Sequence, residues 1–96
     1  MLTSKQRSYL RSLANTIEPI FQVGKGAISE NLIKQVDDAL EARELIKITV
    51  LNNCDESSSD IAIELAQATY SETVQVIGKK IVLYRESKEK KKIELS

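Results

Sequence analysis

Gly24-Lys25-Gly26-Ala27 is where this chain can bring bare backbone and a full positive charge together. Glycine has no Cβ, so N–H groups beside it come close to a ligand, and Lys25 adds an ammonium at the tip. The apolar run Ile20-Phe21-Gln22-Val23 leads into this loop, and Ser29-Glu30 leaves it as a capped helix start. A helix N-terminus supplies further unpaired donors and a partial positive charge, a combination suited to phosphate. Gly-x-Gly connectors are common, so the loop gains weight only from the charges around it.

Those charges are segregated. The chain carries 14 Lys+Arg and 14 Asp+Glu, for a net charge of zero. Residues 1–27 set Lys5, Arg7, Arg11 and Lys25 against Glu18 alone, and residues 73–96 set seven bases against Glu86, Glu89 and Glu94. The middle segment, 28–72, sets ten acids against Lys34, Arg43 and Lys47. A polyanion meets the local field, so a chain of zero net charge can still offer it a basic face.

Catalysis is poorly provided for. Histidine is absent, which removes the commonest general base and metal ligand. Cys54 stands beside Asp55 and Glu56 with no histidine to take its proton, and Asp55–Asp60 lacks the spacing of a calcium loop. We therefore expect no enzyme, no cofactor and no metal. The only aromatics are Phe21, Tyr9, Tyr70 and Tyr84, with Phe21 expected in the core, so aromatic stacking cannot carry much binding, and a polyanion would be read by its backbone shape.

Seven elements must position these residues. Thr3 and Gln6 have capping-box spacing at the start of a first helix, with Leu10, Leu13, Ala14 and Ile17 on one face, Arg7 and Arg11 on one flank and Lys5 on the other. Pro19 stops that helix, and the strand 20–23 follows. A second helix behind Ser29 buries Leu32, Ile33, Val36, Ala39 and Leu40. The alternating run 45–51 is a strand with Ile46, Ile48 and Val50 inward. One of Ser57, Ser58 or Ser59 caps a third helix whose apolar face is Ile61, Ala62, Leu65 and Ala66. Strands 73–77 and 80–85 form a hairpin about Gly78-Lys79.

The order α-β-α-β-α-β-β predicts an α/β two-layer sandwich: a four-stranded mixed sheet with three helices mainly on one face, parallel neighbours within each strand–helix–strand unit, and one antiparallel strand from the hairpin. Residues 1–86 form one domain. Residues 87–96, rich in Lys and Glu, form a flexible charged tail in which Lys90-Lys91-Lys92 reads as a solvated run. No apolar run is long enough for a membrane span, the polar stretch Thr3–Ser8 is not a secretory signal, and a single cysteine fits a reducing cytoplasm.

Three ordered blocks carry a family resemblance: Pro19-Ile20-Phe21-Gln22-Val23-Gly24-Lys25; Ala39-Leu40-Glu41-Ala42-Arg43-Glu44-Leu45-Ile46-Lys47; and Val74-Gln75-Val76-Ile77-Gly78 with Ile81-Val82-Leu83-Tyr84-Arg85. On these the chain resembles stand-alone bacterial members of the CRM (chloroplast RNA splicing and ribosome maturation) family, the YhbY type, from Leu2 to Ile93. The resemblance implies a fold similar to the C-terminal domain of translation initiation factor three, RNA binding, and association with precursors of the large ribosomal subunit, without enzymatic activity. The family's Gly-x-x-Gly loop maps onto Gly24-Lys25-Gly26-Ala27, with alanine at the fourth position. If that position needs φ > 0, alanine costs about 1 kcal/mol or more, and Gly26 is placed to take the turn instead.

The expected RNA-binding set is Gly24, Lys25, Gly26 and Ala27 in the loop; Lys5, Arg7 and Arg11 on the first helix; and Lys79, Lys80 and Arg85 on the hairpin. Alternation puts Lys80, Val82 and Tyr84 on one face of the last strand and Ile81, Leu83 and Arg85 on the other, so a regular strand turns only one of Lys80 and Arg85 toward a given surface. The expected partner is RNA, ribosomal RNA in precursor large subunits, met by a cytoplasmic monomer. The rival reading is a protein-interaction module of the translation machinery that uses the acidic middle segment, with Asp37, Asp38, Glu41 and Glu44.

Overall fold

Local signals set the element boundaries. In the computed structural model, which describes residues 2–24, 26 and 28–95, the elements are α1 (Ser4–Ala14), β1 (Phe21–Val23), α2 (Glu30–Arg43), β2 (Leu45–Val50), α3 (Ser58–Thr69), β3 (Glu72–Ile77) and β4 (Lys80–Tyr84). The capping box forms at α1: Gln6 N donates to Thr3 Oγ1 at 3.1 Å, and Thr3 N donates to Gln6 Oε1 at 3.0 Å. Ser29 and Ser57 cap α2 and α3 by accepting from Leu32 N and Asp60 N. α1 ends a turn before Pro19; Thr16 N and Ile17 N still reach back to Leu13 O and Ala14 O, so the chain tightens into turns there.

The sheet order is β1-β2-β4-β3. β1 pairs parallel with β2, as expected, whereas β4 pairs antiparallel with both β2 and β3. The second strand–helix–strand unit therefore does not make parallel neighbours: the last strand inserts between β2 and β3. Burial explains the choice. Ile81, Val82, Leu83 and Tyr84 are all buried, which suits a central strand apolar on both faces, while the half-exposed, bulged β3 takes an edge.

Two apolar layers result. Val36 and Leu40 of α2 and Ile61, Ala62 and Leu65 of α3 pack on Ile46, Ile48, Val50, Ile81 and Leu83. Phe21 packs against this layer, as expected of a core residue. Leu10 and Ala14 of α1 pack on the opposite face, against Leu45, Val74, Val82 and Tyr84. Two of the three helices thus share one face, and α1 covers part of the other.

The tail, whose composition suggests a flexible end, is folded back on the body. Ile93 and Leu95 pack against the α1 layer. Glu44, fully buried in the left-handed region (φ 67) at the end of α2, accepts from Ser87 N at 2.7 Å, Lys92 N at 2.5 Å and Ile93 N at 2.7 Å. Glu41 accepts from Ser87 Oγ, Lys88 N and Glu89 N. Burial works against the Glu44 charge, but the three N–H donors outweigh it and hold its pKa below the ordinary 4.5. The Ser87 hydroxyl, followed by the Lys88 and Glu89 amides and Arg85, lowers that of Glu41. Burial, with Glu44 and Glu86 nearby, raises that of Tyr84.

Candidate nucleic-acid interface

The glycine loop begins where two connections touch. A Cβ on Gly24 would stand 3.1 Å from Asn53 Oδ1 and 3.3 Å from Leu51 Cδ1, tighter than ordinary packing. Glycine thus lets the chain leaving β1 lie against the chain leaving β2, where Leu51 N donates to Val23 O at 2.8 Å. Gly26 takes the left-handed conformation (φ +84), and among the described residues nothing stands within 4 Å of where its Cβ would be. Lys25 and Ala27, both in the expected site, lie outside the described residues. Two residues after the loop, the Ser29 cap starts α2.

Strand direction brings the hairpin lysines to this same end. β1 and β2 run together and β4 runs against them, so the loop after β1, Asn52-Asn53 after β2 and the turn before β4 share one end of the sheet. Val50 N donates to Lys79 O at 2.7 Å. In the Gly78-Lys79 turn the first central residue has φ +56 and the second is not left-handed, the type II′ pattern that glycine permits. Lys79 and Lys80 are exposed. Two strand spacings, about 10 Å, separate β1 from β4.

Two of the three expected arginines, Arg7 and Arg85, are engaged elsewhere. Arg7 donates to the carbonyls of Thr73 and Val74, tying α1 to the β3 edge. Arg85 donates to Thr69 O at 2.8 Å, Asp37 O at 3.0 Å and Asp37 Oδ1 at 2.5 Å, joining the middle of α2 and the end of α3 to the chain leaving β4. Both side chains hold the fold in this structure. Lys5 and Arg11 are exposed, Lys5 beside Glu94 and Leu95 of the tail and Arg11 within reach of Ser8 Oγ. They ride on the helix that covers Leu45, which is five residues, roughly 17 Å, back along β2 from Val50 at the loop end. The structure therefore groups Gly24, Gly26, Lys79 and Lys80, and carries Lys5 and Arg11 apart from them, on the helix that packs over Leu45, Val74, Val82 and Tyr84.

The two flanks of the loop differ in charge. A hollow of about 300 Å³ on the helix side is lined by Gly26, Ile28, Asp55, Glu56 and Glu64. A larger one, about 660 Å³, runs round the β1 edge past Gln22, Gln35, Thr49 and Lys80. Sequence reasoning did not place Gln22, Lys47 or Thr49 at a site. The alternation of β2 does mark Lys47 and Thr49 as facing away from Ile46 and Ile48; that this half of the face stays uncovered depends on where α1 lies. Of the acids behind the rival reading, Asp37 holds Arg85, and Glu41 and Glu44 hold the tail. Among the described residues no three His, Cys, Asp or Glu are grouped to hold a metal ion, and no helix is long and apolar enough to cross a membrane.

Residues 2–85 match the family model described as the CRS1 / YhbY (CRM) domain. The chain belongs to that family. The probable RNA-binding protein YqeI of Bacillus subtilis is 58% identical over 95 residues, covering 99% of each chain. An RNA-binding protein of Haemophilus influenzae is 33% identical over 94% of this chain and 91% of its own length. The solution structure of the Staphylococcus aureus hypothetical protein SAV1595, described as a candidate RNA-binding protein, superposes with a TM-score of 0.83 at 62% identity over the full length of both chains. These relatives are named for RNA binding rather than for a reaction. The CRM match ends at Arg85, so the tail clasped by Glu41 and Glu44 lies beyond the matched segment.

Proposed function

We propose that this CRM protein binds the sugar-phosphate backbone of RNA at the glycine-loop end of its sheet, as a cytoplasmic monomer acting on ribosomal RNA in precursors of the large subunit. The observation that carries this reading is the meeting of Gly24, Gly26, the α2 N-terminus, Lys79 and Lys80 at one end of the sheet. Backbone N–H groups freed of a Cβ donate to phosphate oxygens, Lys25 adds a positive charge to the loop sequence, and the hairpin lysines meet neighbouring phosphates. Lys5 and Arg11 serve an RNA long enough to reach α1. The names of the relatives and the family resemblance support RNA and the ribosomal setting.

Two measurements test the reading. In a salt titration with single-stranded RNA, Lys25→Ala, Lys79→Ala and Lys80→Ala should each lower the salt-dependence slope by about one. An unchanged slope in all three removes this end of the sheet from the site. On a sucrose gradient of cell extract the protein should travel with immature large subunits and be released by RNase. Sedimentation with neither immature nor mature particles contradicts the ribosomal assignment.

A further inference from the structure

Resting on the RNA-binding reading above, we infer that the uncovered half of the sheet face, Gln22, Thr49, Lys80 and Ile77, is a ribose-reading platform over which a single RNA strand passes after leaving the glycine loop. Strand register lines these residues up: Gln22 is opposite Thr49, Thr49 opposite Lys80, and Lys80 opposite Ile77, one residue from each strand. They point away from α2 and α3, because their neighbours Phe21, Val23, Ile48, Val50, Val76 and Ile81 pack on that side. α1 covers Leu45, Val74, Val82 and Tyr84 farther back and leaves this row open. Three strand spacings make the row about 14 Å long, a span of a few nucleotides.

The chemistry of the row differs from that of a phosphate clamp. Its first two members are an amide and a hydroxyl, and only the third is charged. Lys80 Nζ donates to Thr49 Oγ1 at 2.9 Å, which occupies an acceptor site on the hydroxyl and leaves its proton for an outside acceptor. Lys80 keeps two protons for a phosphate. A ribose 2′-hydroxyl both donates and accepts, so it can pair with an amide or a hydroxyl, and it is the group DNA lacks. Ile77, 62% exposed at the end of the row, offers apolar surface to a sugar or base face. Across the loop, Asp55, Glu56 and Glu64 repel phosphate, so a strand held at Gly24–Gly26 is turned toward the sheet.

The test uses the full chain and a short mixed-sequence single strand made as RNA and as its 2′-deoxy counterpart, with binding followed by fluorescence anisotropy across a salt series. Wild type should prefer the RNA. Gln22→Ala with Thr49→Val should weaken RNA binding roughly ten- to thirtyfold, as two uncharged hydrogen bonds would, while DNA affinity and the salt slope stay unchanged. Thr49→Ser, which keeps the hydroxyl, should keep the preference for RNA. Gln22→Ala alone, at an exposed position, should show a smaller loss on RNA only, and it gives the same reading if the double variant folds poorly. Equal losses on both strands, or no loss on RNA, overturn the platform. If that happens while the slope still responds to Lys25, Lys79 and Lys80, the loop reading survives alone. Wild type that binds neither strand overturns both.

Discussion

Replacing Glu44 with glutamine removes one charge and turns one acceptor into a donor at a buried site that holds the tail. The carboxylate accepts from Lys92 N and Ile93 N through Oε1 and from Ser87 N through Oε2. A glutamine can point its oxygen at Lys92 and Ile93, but its NH₂ then faces the Ser87 N–H, donor against donor. Losing one hydrogen bond to a charged acceptor costs about 1.5–3 kcal/mol, and the two that remain weaken when the acceptor becomes neutral. Relief from burying a charge returns part of this, leaving a net loss of about 2–4 kcal/mol. In a domain of this size each kcal/mol is worth about 4–8 °C, so the melting temperature should fall by roughly 8–30 °C. Urea unfolding gives the energy, and amide hydrogen exchange at Ser87, Lys92 and Ile93 gives the location. In a chain ending at Glu86 the same substitution should cost little, since its donors are gone. Equal cost in full-length and shortened chains would show that the tail is not what Glu44 holds, and a loss under about 0.5 kcal/mol would refute the energetics.

Arg85→Ala should destabilise the protein by about 2–3 kcal/mol, because three acceptors on Asp37 of α2 and Thr69 of α3 lose their donor, while RNA affinity and salt slope stay as in wild type. A slope reduced by one would return Arg85 to the interface. The lowered pKa values of Glu41 and Glu44 make tail docking depend on acid: their contribution is fully present above the ordinary 4.5 and is lost as pH falls through the lowered folded-state values. A pH series of unfolding free energies should therefore turn down in acid more steeply for the full chain than for one ending at Glu86, and parallel curves would contradict this.

Much of the fold was legible because its signals are local. Thr3 with Gln6, Ser29 and Ser57 cap the helices at the expected starts, and the strand alternation correctly set Ile46, Ile48 and Val50 inward and Lys80 opposite in facing to Arg85. The loop was legible as well, since glycines between a strand and a capped helix are adjacent in sequence. The partners of the arginines were not. Arg7 finds its acceptors 66 and 67 residues away, and Arg85 finds Asp37 48 residues away, so counting cations marked as free two side chains that are spent inside the protein.

The amino-acid order by itself determined which segments are helix or strand, which face of each is apolar, and that a bare-backbone loop carrying one lysine leads into a helix. Tertiary structure alone decided that β4 lies between β2 and β3, that the tail is clasped by Glu41 and Glu44, and that Gln22, Thr49, Lys80 and Ile77 form one row beside that loop. Caps, turns and periodicity act over three or four neighbouring residues, and composition can be read at that range. Strand order and the pairing of a charge are settled by competition among distant segments for the same buried surface and the same hydrogen-bonding groups, and that competition is resolved only when the chain closes on itself.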